Sequence, residues 1–160
     1  MSRTSSFGFT NSTAGTNTVT PLALGLTTNY ATQVNNANQA VLNNKTAPID
    51  LQEVISYRSD DIASLKNNAV NIQYPSPVKA GIQYSVAITD TLSTTDTSDA
   101  SFRVDEPIQC TVSFRHPKSG NITGALVAQV FLRTISSLMK EDGTWRFDDL
   151  MRGAELPVTE

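Results

Sequence analysis

Two segments of this chain alternate apolar and polar residues with strict period two, and all the strand-like sequence precedes all the helix-like sequence. From Gly81 to Thr89, Ile82, Tyr84, Val86 and Ile88 alternate with Gln83, Ser85, Ala87 and Thr89. From Pro107 to His116, with a start as early as Phe102 left open, Ile108, Cys110, Val112 and Phe114 alternate with Gln109, Thr111, Ser113 and Arg115. Successive side chains on a strand point to opposite faces, so each segment predicts a strand with one buried and one polar face. Strands first and helices last predict an α+β layer, because parallel βαβ units would interleave the two kinds of element.

Weaker strand signals surround these two. Ala69 to Tyr74 places Val70, Ile72 and Tyr74 against Asn71 and Gln73, and Pro75-Ser76-Pro77 breaks it. Leu51 to Arg58 is strand-like, with an undecided inner face because Val54 and Ile55 are adjacent. Tyr30 to Val34, Phe7 to Thr10 and Val19 to Leu26 are further candidates, and Gly15 between the last two suggests a hairpin. The polar, acidic run from Thr91 to Ser101 reads as a long exposed loop joining the two best strands.

In the tail Thr123 is a candidate N-cap, and Leu126, Val127, Val130, Phe131, Ile135, Leu138 and Met139 recur at helical spacing up to about Asp142-Gly143. Thr144 then predicts the cap of a second helix carrying Trp145, Phe147, Leu150 and Met151. Burying seven large side chains is worth about 1.5 to 3 kcal/mol each before entropy, so the first helix needs a partner surface, and its apolar face is wide enough for more than one.

Thr, Ser and Asn make up 48 of the 160 residues, and Arg3 is the only charged residue before Lys45. Such a composition favours strands and turns with uncharged polar faces. A net charge of -3 argues against a generally basic coat, so any contact with a polyanion is local. The N-terminal sequence has neither a signal-peptide pattern nor an apolar run long enough for a membrane span.

Chemistry is sparse. A single Cys110 excludes an internal disulfide, and one His116 removes every histidine-pair metal motif, so neither metal nor cofactor is expected. Cys110 and His116 share strand parity, but six residues at about 3.3 Å each separate them by roughly 20 Å, too far for a nucleophile and its base. The pairs Asp60-Asp61, Asp105-Glu106 and Asp148-Asp149 do not converge on one face, and the last pair reads more simply as first-turn helix acids. Without a phosphate loop or dinucleotide fingerprint, no enzymatic activity is expected. What remains is a polar sheet face, either an ordinary solvated surface or one that hydrogen-bonds bases and phosphates through amides, hydroxyls and an arginine.

The strings Asn44-Lys45-Thr46-Ala47-Pro48-Ile49-Asp50, Gly81-Ile82-Gln83-Tyr84-Ser85-Val86, Phe114-Arg115-His116-Pro117-Lys118 and Leu150-Met151-Arg152-Gly153-Ala154-Glu155-Leu156-Pro157, taken with the order of elements, resemble the coat proteins of single-stranded RNA bacteriophages, the levivirus group. The resemblance covers nearly the whole chain. It implies a single coat-protein domain over 1–160: an N-terminal β-hairpin in 1–28, a five-stranded antiparallel sheet in 29–117 with an exposed loop 91–101, and two C-terminal helices in 122–153. It further implies a homodimer joined edge to edge, with each chain's helices over the partner's sheet through Leu126, Val127, Val130, Phe131, Ile135, Leu138 and Met139. Dimers would assemble in the host cytoplasm into an icosahedral shell around the viral single-stranded RNA, with no membrane involved. Loop 91–101 would surround the shell's symmetry axes. Asn71, Gln73, Gln83, Ser85, Gln109, Thr111, Ser113 and Arg115 would face RNA, including a hairpin through which the dimer represses translation. A non-assembling RNA-binding module using the same polar face is the alternative; a surface adhesin or pilin-like subunit fits the helical tail poorly.

Overall fold

The structure, a computed structural model, describes residues 22–65, 78–140 and 142–153. Two compact units divide the chain, one spanning Ala23–Ser119 and the other taking in the chain from Gly120 onward.

The first unit is an antiparallel meander of β1 (Tyr30–Asn35), β2 (Gln39–Asn44), β3 (Val54–Ile62), β4 (Gly81–Thr95) and β5 (Arg103–Pro117), neighbours in space as in sequence. Among the described residues the sheet has five strands, four of them expected and one not. Ala69 to Tyr74 lies outside the described residues, as do Phe7 to Thr10 and the start of Val19 to Leu26. The strand absent from the sequence reading is β2. Its adjacent Val41 and Leu42 hide the alternation, yet the register puts Leu42 opposite Ile55 and Val41 opposite Ser56, on different faces. An irregularity between Thr32 and Val34 in β1 then brings Val34 opposite Val41. The β1–β2 turn closes through Asn36, whose Oδ1 accepts from Asn38 N at 3.1 Å.

Most of the expected N-terminal hairpin lies outside the described residues, which begin shortly before β1. Leu26–Asn29 forms one helical turn, α1. Gly25, at φ 61°, starts it, and the short polar side chains of Thr28 and Asn29 bond back to Gly25 O and Leu24 O at 3.1 Å each.

The expected loop 91–101 is shorter than its composition suggests. Thr91 to Thr95 pair with Pro107 to Arg103, so β4 and β5 each run 15 residues and only 96–102 connect them. Threonines suit a strand, and the connection begins where Asp96 accepts from Ser98 N and Oγ at 2.8 and 2.6 Å. Asp99 accepts from Ser101 in the same way. Because β3 meets β4 only as far as Thr89, the stretch Asp90–Thr95 with Arg103–Ile108 is a two-stranded ribbon projecting past the sheet.

Ile55, 1% exposed, sits between Leu42 and Ile88, and with Tyr30 at 7% it makes up the buried core among the described residues. At the opposite end of β4 a Cβ on Gly81 would lie 1.8 Å from Leu65 Cδ1, so only glycine lets that leucine approach.

In the second unit, α2 spans Gly124–Ser136 and α3 spans Phe147–Met151. Thr123 caps α2 as expected, its hydroxyl accepting from Leu126 N at 3.4 Å. The helix ends at Ser136, six residues before the expected Asp142. There the hydroxyls of Ser136 and Ser137 bond back to Leu132 O and Thr134 O at 2.8 and 2.7 Å, and the next backbone bonds tighten to three-residue spacing. Leu138 and Met139 therefore lie beyond the helix, with Met139 bridged to Trp145 across a turn that has Gly143 at φ 84°. Thr144 does not cap α3; it is held by Asp142 Oδ1 at 2.7 Å, and Arg146 occupies the cap position.

Candidate nucleic-acid interface

Strand register decides which residues share a face, because directly paired residues point the same way. Tyr84 pairs with Phe114, Val86 with Val112 and with Tyr57, and Ile88 with Cys110 and with Ile55. These make the apolar face, on which the Tyr84 and Phe114 rings stack at 5.3 Å and His116 lies 5.9 Å from Tyr84. The same face carries a polar corner: Tyr30 donates its hydroxyl to the Glu53 carboxylate, which also accepts from Asn44 Nδ2 at 3.4 Å. That hydrogen bond, helped by burial and the Glu53 charge, pushes the Tyr30 phenol up to about 12.

On the opposite face Gln83 pairs with Arg115, Ser85 with Ser113, Ala87 with Thr111 and Thr89 with Gln109. Six of the eight residues read from the sequence as RNA-facing are thus brought together: Gln83 and Ser85 half-buried on β4, and Gln109, Thr111, Ser113 and Arg115 exposed on β5. Asn71 and Gln73 lie outside the described residues.

The register also adds members that the sequence reading missed. Asp60 pairs with Gln83, Arg58 with Ser85 and Ser56 with Ala87, while Gln39 on β2 pairs with Arg58. Arg58 and Asp60, two residues apart on β3, form an ion pair at 3.0 Å with both side chains exposed. Ile55 and Tyr57 alternate with Ser56, Arg58 and Asp60, but Val54 beside Ile55 leaves the inner face undecided, and Asp60 lies beyond the expected end at Arg58. Where β3, β4 and β5 lie side by side, the face carries neutral hydroxyls and amides with two guanidinium groups, Arg58 and Arg115, against one carboxylate, Asp60; further along β5 Arg103 and Asp105 share its parity. Amides, hydroxyls and guanidinium groups are side chains able to hydrogen-bond base edges, sugars and phosphates without a strong field.

The apolar helix positions fall into two groups. Leu126, Val127 and Ile135 of α2, with Leu138 and Met139 beyond it, are half-buried, whereas Val130 is 46% and Phe131 38% exposed. No residue of α2 or α3 is fully buried. Among the described residues no three His, Cys, Asp or Glu side chains cluster as metal ligands, and no helix is long and apolar enough to cross a membrane.

A five-stranded antiparallel meander with one amide-and-hydroxyl face, followed by two helices, is the architecture of an RNA-phage coat protein. Solved structures match it closely. The subunit of the virus-like particle of bacteriophage AVE015 superposes with a TM-score of 0.86 over 98% of this chain and 99% of that one, at 22% identity. That of bacteriophage GQ-112 gives 0.74 over 95% and 96%, at 14% identity. The subunit from Beihai levi-like virus 32 gives 0.53 over 82% and 91%, also at 14%. No protein-family model matches the sequence, and no curated protein matches it. The chain has the fold of these particle subunits, as its sequence strings suggest.

Proposed function

We propose that the chain is a structural capsid protein, with 1–160 acting as one coat domain that dimerises and assembles into an icosahedral shell around single-stranded RNA. The observation that carries this reading is how little of the apolar surface one copy covers. Among the described residues only Tyr30 and Ile55 are buried hydrophobic side chains, while Val104, Ile108, Val130, Phe131, Leu132, Trp145 and Phe147 are each at least 38% exposed. A chain of this length normally buries about two thirds of its unfolded surface, and the cost of ordering it is met only if another surface covers these side chains.

A second copy supplies that surface. β5 lies at the edge of the sheet, with 15 residues available for antiparallel pairing to its counterpart. The α2 face with Val130 and Phe131 then covers the apolar face of the partner's sheet. This leaves the face of Gln83, Ser85, Gln109, Thr111, Ser113 and Arg115, together with Arg58, turned to the packaged RNA, where it also binds a hairpin as translational repressor and packaging signal. The named particle subunits that share the fold support the capsid role.

Electron microscopy of the purified recombinant chain, with nuclease treatment before RNA extraction, tests this. Closed particles holding nuclease-protected RNA are the expected result. A chain that stays monomeric while binding RNA is a non-assembling RNA-binding module and overturns the capsid reading.

A further inference from the structure

Among the described residues the ribbon formed by Asp90–Thr95 and Arg103–Ile108 has no third strand, and two strands alone are marginally stable in water. A 3-10 turn, Ile49–Leu51, lies against β4 beside it. From that turn Asp50 Oδ2 reaches the Arg103 guanidinium at 2.6 Å, and the same guanidinium holds Asp105 Oδ1 at 2.9 Å through its Nε. The two ion pairs have different consequences. Asp105 is on the same strand as Arg103, so that pair stays inside the ribbon. Asp50 belongs to the segment between β2 and β3, so that pair ties the arm to the body of the sheet.

We propose that Arg103 is the clamp that sets the direction of the ribbon relative to the sheet, and that its release from Asp50 frees the ribbon without unfolding the sheet. All three side chains are between 38% and 58% exposed, so the clamp is screened by salt and can be opened at small cost. The groups facing Arg103 are Asp50 from the turn and Asp105 from β5, with Ser93 of β4 bonded to Asp105; Arg103 holds both carboxyls below their ordinary range. The arm presents Leu92 at 53%, Val104 at 42% and Ile108 at 60% exposure, so its direction decides where that apolar strip is offered. The consequence for a shell rests on the capsid reading: Arg103 is then a positioning residue for the surfaces through which neighbouring copies meet.

Amide hydrogen exchange on the full chain tests the clamp in whatever assembly state the chain adopts, so its failure is separate from a failure to form particles. In Arg103→Gln the amides of ribbon residues 92–95 and 103–106 exchange on the order of fivefold faster, while those of Tyr57 and Val86 in the sheet are unchanged. Asp50→Asn reproduces the effect; Asp105→Asn has a smaller one because it cuts no link to the sheet. Unchanged ribbon exchange in Asp50→Asn, equal effects of Asp50→Asn and Asp105→Asn, or faster exchange throughout the sheet in Asp50→Asn would each overturn the proposal.

Discussion

Arg58 and Arg115 share the polar face, but their settings differ: Arg58 is held by Asp60 at 3.0 Å, whereas Arg115 stands opposite the neutral Gln83 on the exposed side of β5. Phosphate approaching Arg58 has to compete with a carboxylate. Arg115→Ala is therefore expected to weaken RNA binding and to lower the salt dependence by about 0.7 for each phosphate that goes without its neutralising guanidinium, as for single-stranded RNA. Asp60→Asn is expected to raise affinity by releasing Arg58. Thr111→Ala and Ser113→Ala alter which hairpin is preferred with little change in salt slope, because hydroxyls read base edges and shape. Filter binding at two salt concentrations checks these, with melting curves to show that stability moves by no more than about 0.5 kcal/mol. Loss of stability with RNA affinity intact would mean that this face is not the RNA side. A second residue-scale prediction concerns Tyr30, whose phenol is pushed up to about 12 in the folded chain, chiefly by its hydrogen bond to Glu53. A raised folded value means that the contribution is complete below the ordinary tyrosine value near about 10 and is lost as pH rises through the folded one. Thermal melts across that alkaline window are expected to show a fall in stability that Tyr30→Phe reduces; identical pH profiles in both proteins would rule out the coupling.

At the scale of elements, α2 leaves Val130 and Phe131 exposed in one copy, so truncating Phe131 acts on association before it acts on the fold of the chain. Phe131→Ala is expected to weaken dimerisation by about 1.5 to 3 kcal/mol, read as a shift in the concentration dependence of size-exclusion elution. An unchanged elution profile would show that α2 does not carry the interface. The connection 96–102 makes a complementary case. Asp96 and Asp99 are each satisfied within it by Ser98 and Ser101, so replacing residues 96–101 with a short turn is expected to leave a folded dimer while changing or preventing shells. A deletion that unfolds the chain would contradict this, and circular dichroism beside electron microscopy separates the two outcomes. What could be read from the sequence follows the physics of each element. β4 and β5 were legible because both have one apolar and one polar face, which writes period two into the residues. β2 was not, since Val41 and Leu42 put apolar side chains on both of its faces and conceal the alternation. The true length of β4 was obscured because Thr91 to Thr95 read as a loop by polarity while threonine pairs well in a ribbon. The alternation that carries Arg58 is in the local sequence, but Val54 beside Ile55 leaves its face undecided until pairing with Ser85 fixes it.

At the scale of the molecule, the capsid reading links stability to assembly, because few of the described residues are fully buried within one copy. The described part of a single chain buries Tyr30 and Ile55 and leaves an edge strand of 15 residues with a neighbour on one side. If copies complete each other's core, folding is linked to association, and the melting temperature must rise with protein concentration by mass action. A self-sufficient domain with the same polar face would melt at one temperature at every concentration. Calorimetry of the dissociated chain over a range of about a hundredfold in concentration, with native mass measurement of the species present, distinguishes the two. The expected result is a dimer as the smallest folded species and a transition that moves upward with concentration. Arg103→Gln is expected to keep that dimer and its concentration dependence, because Arg103 ties the ribbon and not the core rows of Leu42, Ile55 and Ile88. A folded monomer with a concentration-independent transition would instead mean that the exposed helix and strand edge are tolerated as surface, and the case for a subunit built to be completed by its neighbours would fail.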